Sequence, residues 1–359
     1  MPMTPIVEMP THFDPQVTPW EVKHEDIPTD NTTARLHHLI RYAILAPSTH
    51  NTQPWKFSVK PNEIGVYVDR DRWLKVADID ERELYVSVGC AMENLLIAAE
   101  HYGFAHDVAL LSDPVNRDQV AQVRMSAAGT PSPYRVGLFD CIPARFSNHH
   151  VYTGAPIGPE LLHLLQAVCV EPGIKPVLIT DLATRQKVDE LMVRADAVQF
   201  ADPAFRDELG HWIGQGVFGA SWLMAKLQQM AVTLINVGNQ TAKHDSQVLL
   251  SAPVFGVITS QVDDRKSQVQ AGQVYERIHL LATHLKLSIQ PMNQLLQLRY
   301  FKSALTDVLF ADRLKTIPIG THQSGPISPT PQIAFRLGYG EPEIEHTPRR
   351  PLEDVLLDQ

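Results

Sequence analysis

The sequence predicts an α+β fold in which segments of helical and of strand periodicity alternate along one long chain. Residues 55–68 alternate apolar and polar side chains on either side of Pro61-Asn62, the pattern of a hairpin. Two long apolar stretches, 88–103 and 268–286, repeat at helical spacing. With 359 residues, 44% of them hydrophobic, the chain can bury a sizeable core as two domains or one large one.

Composition excludes several classes of partner. The formal net charge is -9, and Lys and Arg are scattered, so neither a nucleic-acid footprint nor an anionic-membrane patch is expected. Cys90, Cys141 and Cys169 are widely spaced without a C-x-x-C pair, which fits neither a disulfide framework nor a zinc site. A reducing cytoplasm is the expected location. Residues 1–30, rich in Pro, Thr and acidic residues, lack the basic and apolar regions of a signal peptide. They read as a tail, with Trp20 docking part of it. No apolar run approaches the roughly 18 residues of a membrane span.

Leu36, Leu39, Ile40, Ala43 and Ile44 place a helix over 31–45, capped by Thr29 or Asp30 and ended by Pro47. Pro54 pushes Gln53 into an extended conformation, after which Trp55, Phe57 and Val59 alternate as a strand and Ile64, Val66 and Val68 as its partner. Between helix and strand, Ser48, Asn51 and Gln53 carry donors and acceptors that no ladder uses. They either close the turn on its own backbone or face a planar hydrogen-bonding ligand. Asp69, Asp71, Asp78 and Asp80 follow, mixed with Arg70, Arg72 and Lys75 and without the D-x-D-x-D-G calcium pattern, so a solvated loop is expected. The helix through Val88, Met92, Leu95, Leu96 and Ala99 stops at Gly103, a natural C-cap. Asp107 to Leu111 supplies a strand, and residues 113–140 read as a polar, turn-rich boundary.

Beyond it lies Pro143-Ala144-Arg145-Phe146-Ser147-Asn148-His149-His150. Pro159 opens a helix to about Val168, Lys175 to Thr180 reads as a strand, and Val188, Leu191, Met192 and Ala195 mark the next helix. Asp202-Pro203 begins another. Gly214 to Gly219 spells G-x-G-x-x-G, but a helix precedes it and residues 232–242 carry no Asp or Glu, so a glycine loop between helices is expected in place of a dinucleotide site. Residues 221–236 are apolar on several sides, which makes 200–245 a candidate lid or simply part of the core. Val248 to Ile258 reads as a buried strand, 268–286 as a helix, Gln290-Pro291-Met292-Asn293 as a turn after a strand, and Ile333 to Tyr339 as a strand.

The stretch 46–57, A-P-S-x-x-N-x-Q-P-W-x-F, resembles the signature turn of the nitroreductase family of flavoenzymes. Arg145-Phe146-Ser147 resembles that family's opening R-x-S-x-[RK], with His149 where the family prefers Arg or Lys. The helices through 88–103 and 270–283 resemble its core helices, Gln290 to Asn293 its flavin-ring turn, and Pro348 to Val355 its closing segment. The resemblance spans roughly residues 31–359. It implies a nitroreductase-like, FMN-dependent fold in which a first half, 31–140, and a second half, 141–359, form an intrachain pseudo-dimer around central helices and mixed sheets, similar to the Acg-like subgroup. Only the first half carries the Pro-Trp turn and only the second the R-x-S, so the resemblance implies one FMN between them.

By the same resemblance Pro47, Ser48, Asn51 and Gln53 meet the flavin, and Arg145, Arg349 and Arg350 anchor its phosphate. Ser147 sits at the phosphate and pyrimidine end, Arg145 or His149 supplies charge near N1, and Pro291, Met292 and Asn293 lie near N5. Met292 is equally suited to core packing. NADH or NADPH is implied as reductant, and a nitroaromatic, quinone or similar small molecule as acceptor. No metal and no side-chain general acid is expected, since the chemistry belongs to FMN. The chain is expected to be a monomeric pseudo-dimer or weak homodimer. The rival reading is an FMN-binding protein of the Acg-like type that sequesters its cofactor with little turnover.

Overall fold

A computed structural model describes residues 18–24, 27–28, 31–113, 115–127, 129–314, 329–343 and 345–357. Helix α1 (Thr32–Ala43) begins where the Asn31 side chain accepts the Ala34 N–H, so the cap is Asn31. The expected caps Thr29 and Asp30 lie outside the described residues. Strands β1 (Trp55–Lys60) and β2 (Glu63–Val68) form the hairpin, with Asn62 at φ 59 in its turn. Helix α2 (Arg82–His101) is buried over almost its whole length and ends before Gly103, whose φ of 77 suits a residue without Cβ. Strands β3 (Phe104–Leu110) and β4 (Gln119–Ala127) complete a sheet of order β1-β2-β4-β3.

The second sheet repeats the first. Helix α3 (Pro159–Ala167) leads to β5 (Ile174–Ile179), and four helices follow: α4 (Leu182–Ala201), α5 (Pro203–Gly214), α6 (Trp222–Leu234) and α7 (Gly238–Ser251). Next come β6 (Val254–Ser260), helix α8 (Arg265–His284) and β7 (Ser288–Pro291). Helices α9 (Gln294–Gln297) and α10 (Arg299–Leu314), strand β8 (Thr330–Gly338) and the single turn α11 (Leu352–Val355) close the chain. The strand order β5-β6-β8-β7 is that of the first sheet, with a 20-residue helix in the same place. What the second half adds is α4 to α7 between its first two strands, and α9 with α10 before its last.

The two 20-residue helices pack on each other through glycine. A Cβ on Gly89 would overlap the carbonyl of Val269, and one on Gly272 would overlap the carbonyl of Val86. Each glycine therefore meets the residue three before the other, a contact with two-fold character within one chain. Around it Val88, Met92, Val269 and Ile278 are fully buried in the main core. At about 25 cal/mol per Å² of apolar surface, this shared face is what holds the halves together. All named strand pairs are antiparallel, but Ser147 bridges Ile289 and Leu356 bridges Phe57 in parallel, which makes each sheet mixed at its edge.

Three expectations need correction. Residues 113–140 hold β4, whose Val120, Ala121, Val123 and Met125 are buried between β2 and β3. The strand expected from Val248 starts at Val254, because Val248 and Leu249 are the buried face of α7 and Pro253 ends the helix. The aspartate loop is only partly solvated: Asp69 is buried against Arg350 at 3.0 Å, and Asp78 accepts the Glu83 and Leu84 N–H groups at 2.8 and 2.9 Å at the start of α2.

Candidate functional site

The turn between α1 and β1 is strained. His50, Asn51 and Gln53 all have positive φ, at 49, 50 and 52, so Gln53 is left-handed and not extended as expected before Pro54; each such residue costs roughly 1 kcal/mol or more and persists only where surroundings over-determine it. Those surroundings come from the far end of the chain. Asn51 Nδ2 donates to the carbonyls of Val217 at 2.6 Å and Pro348 at 2.9 Å, while its Oδ1 accepts from Arg349 Nη1 at 2.9 Å. Ser48 Oγ accepts the Gln53 N–H at 2.9 Å and so closes the turn.

A cavity of about 580 Å³ opens beside this turn and is lined from both halves. Pro47, Ser48 and Asn51 form one wall; Arg145, Ser147, His149, Pro291, Asn293 and Arg349 belong to the others. Three expected residues do not line it. Gln53 is buried between the turn and the terminal segment, its Oε1 accepting the Arg350 N–H at 2.7 Å. Arg350 turns toward Asp69 and the carbonyls of Gln53 and Asp354. Met292 packs in the core beside α9 and α10, and its N–H is spent on Ala334 at 2.8 Å.

Arg145 and Arg349 dominate the electrostatics. Both are buried, both donate to the Leu45 carbonyl, and the carboxylate nearest them is Glu276, 3.6 Å from Arg145. Burial and then the neighbouring Arg145 push the Arg349 guanidinium down, and burial raises Glu276 to about 7. The Nε of each guanidinium lacks a hydrogen-bond partner among the described residues. An anion placed here would relieve both the repulsion and the missing bonds.

His149 is not a third cation. Arg336 Nε donates to Gln290 Oε1 at 2.6 Å, which turns Gln290 Nε2 toward His149 Nδ1 at 2.8 Å. Nδ1 must accept, so the imidazole is neutral. Burial, with Arg336 and two histidines near, also lowers its pKa against the pull of Glu343.

The chain matches no protein-family model. It is 23% identical over 329 residues to the "Putative NAD(P)H nitroreductase Rv3131" of Mycobacterium tuberculosis (strain ATCC 25618 / H37Rv), covering 89% of this chain and 90% of that one. To the "Putative NAD(P)H nitroreductase acg" of the same strain it is 22% identical over 346 residues, covering 90% and 96%. Among solved structures, "a putative nitroreductase from anabaena variabilis atcc 29413" aligns over 91% of each chain at 10% identity with TM-score 0.45. Along about nine-tenths of its length the chain is thus similar to putative nitroreductases, the acg protein among them.

The cavity also contains a group that the sequence did not single out. Asp196 of α4 has no exposed surface, lines the cavity, and neither of its carboxyl oxygens has a hydrogen-bond partner among the described residues. Burial raises its pKa to about 8, with Asp245 and Asp189 adding to the shift. Asp245 of α7 lines the same cavity and accepts from Gln294 Nε2 at 2.8 Å. A signal existed: Asp196 follows Val188 and Met192 at four-residue spacing, on a buried face that is apolar apart from Asp196 and Gln199.

Proposed function

We propose that the chain is an FMN-dependent NAD(P)H oxidoreductase that reduces nitroaromatic, quinone or similar small acceptors. The observation that carries this reading is the shared cavity, where two buried and mutually repelling guanidiniums face a strained turn from the other half. Its volume lies in the range of sites that enclose cofactors and drug-sized ligands. The anion-seeking pair fits a phosphate, so Arg145 and Arg349 would hold that end of FMN, with Ser147 close by in the same wall. Pro47, Ser48, Asn51, Pro291 and Asn293 would flank the rest. When bound, FMN supplies two-electron hydride chemistry between a nicotinamide and the acceptor. The protein's own part is to bind, orient and exclude water.

The names of the relatives agree with this activity. Among the described residues no helix is long and apolar enough to cross a membrane. The two-halves division at about residue 140 is proposed with it, the repeated strand order being its support.

Sequestration of FMN has one observation in its favour. Phe200, Phe205, Leu209, Phe218 and Gly219 line the cavity from the proposed lid, and Asn51 ties that lid to the turn through Val217. Anaerobic titration of the FMN-loaded protein with NADH and with NADPH separates the two. Bleaching of the yellow colour by a stoichiometric nucleotide is expected. A flavin that bleaches with dithionite and ignores both nucleotides makes the chain a sequestering protein.

A further inference from the structure

Several cavity-lining residues keep one polar atom without a partner among the described residues, namely His50 Nδ1, Gln199 Oε1, Tyr275 Oη and the Nε of Arg145 and Arg349, but only Asp196 has two such atoms. Gln199 Nε2 donates to Gln297 Oε1 at 2.5 Å, and Gln297 Nε2 to Glu83 Oε2 at 3.2 Å. Glu83 is held by Arg82 at 2.7 Å, and Asp245 by Gln294. Asp196 alone in this belt has both oxygens free of partners among the described residues, while it is wholly buried and borders the cavity. A buried carboxyl left unpaired costs stability on the order of 1–3 kcal/mol or more, so its partner is to be sought in what enters the cavity.

We infer that Asp196, in its protonated form, is the catalytic acid that hydrogen-bonds an oxygen of the bound acceptor and delivers a proton to it. This rests on the reductase reading above and adds a residue to it. With a quinone as acceptor, the hydride that bound FMN would supply forms an O–H bond on one quinone oxygen and leaves the other oxygen as an anion. The Asp196 O–H bond breaks, a new O–H bond forms on that oxygen, and the carboxyl remains as carboxylate. The hydroquinone leaves, and water reprotonates Asp196.

The surroundings suit an acid that keeps its proton near neutrality. The charged groups that act on Asp196 are acidic: Asp245 on α7 and Asp189 two turns earlier on α4. The α9 residues that line the same cavity, Gln294 and Gln297, are uncharged, and Gln297 in turn bonds Gln199 and Glu83 of α2. Arg336 and His244 lie near Asp245, not Asp196. Burial is the largest cause of the upward shift, which puts the midpoint at about 8. Such an acid is about nine-tenths protonated at pH 7 and still able to give its proton away.

The test reduces FMN-loaded protein with dithionite, mixes it with excess 1,4-benzoquinone, and follows flavin reoxidation by stopped flow from pH 6 to 10. The wild-type rate is expected to be level below the midpoint and to fall tenfold per pH unit above it. The isosteric D196N keeps a donor but has no acidic proton, so its rate should be at least about tenfold lower and independent of pH. Should D196N fail to fold, D245N removes the neighbouring charge and must move the wild-type break to lower pH. A readout that needs no turnover is infrared difference spectroscopy across the same range: a protonated-carboxyl band that titrates in the wild type and is missing in D196N. An unchanged rate profile in D196N, an unmoved break in D245N, or the titrating band persisting in D196N overturns the inference. Because dithionite supplies the electrons, a flavin that ignores NADH and NADPH would sink the reductase reading without touching this result.

Discussion

Asp196 and Arg349 are each held in a form that folding alone disfavours. Arg349 is a buried guanidinium beside a second one, and Asp196 a buried carboxyl without a partner among the described residues. Folding raises Asp196 from the ordinary value near 3.8 to about 8, so the folded chain binds this proton more tightly than the unfolded one. Below the ordinary value both states are protonated and nothing is lost. Between pH 4 and 8 the unfolded state releases the proton first, and stability falls by about 1.4 kcal/mol per pH unit relative to a residue that cannot ionise. D196N is therefore expected to melt higher than the wild type at pH 8, with the gap closing as pH is lowered to 4, measured by thermal unfolding of the flavin-free protein at each pH. Equal melting curves at both ends would show that the carboxyl is solvated. The sequence marked Arg145 and Arg349 because their motif is short and local. Helical spacing puts Asp196 on a buried stripe, but its role depends on α7 and α9 arriving from elsewhere in the chain.

The pair α2 and α8 shows what a single element can and cannot disclose. Their apolar spacing is readable directly, as is the stop at Gly103, because both follow from local backbone chemistry. Their contact is not readable, since Gly89 and Gly272 look like ordinary small residues until the two helices cross. At that crossing the added Cβ meets backbone carbonyls on both sides, which cannot turn aside as a side chain can. Gly89→Ala and Gly272→Ala are each expected to cost about 3 kcal/mol or more in denaturant unfolding, at the upper end for overpacked cores. The contact is reciprocal, so the double variant should cost clearly less than the sum of the two. Strict additivity would mean that the helices do not share this contact. Strand β4 was lost for a different reason. Its alternation at Val123 and Met125 against Gln122 and Arg124 is genuine, but turn-forming residues on both sides outweighed it. Helix α10 received no reading at all, although its Phe301 and Leu305 are buried one helical turn apart.

At the scale of the whole molecule the two sheets are strapped to each other. The segment after the first sheet crosses to the second, where Ser147 bridges Ile289 and Asn148 N–H donates to the Ile289 carbonyl at 3.0 Å. The segment after the second sheet returns to the first, where Leu356 bridges Phe57 and Leu357 N–H donates to the Phe57 carbonyl at 2.8 Å. The returning strap also carries Arg349 into the cavity and Arg350 onto Asp69. Deleting residues 346–359 therefore does three things at once: it removes one of the two guanidiniums, leaves the buried Asp69 with only the longer Lys56 ion pair at 3.9 Å, and bares the β1 edge. The truncated chain is expected to lose bound FMN through gel filtration and to elute as self-associated species, because an uncovered edge strand pairs with another copy. A monomeric truncated chain that kept its flavin would mean that the first half builds its part of the cavity without the strap, and the strained Asn51 turn would then need another explanation than the Arg349 and Pro348 contacts that now hold it.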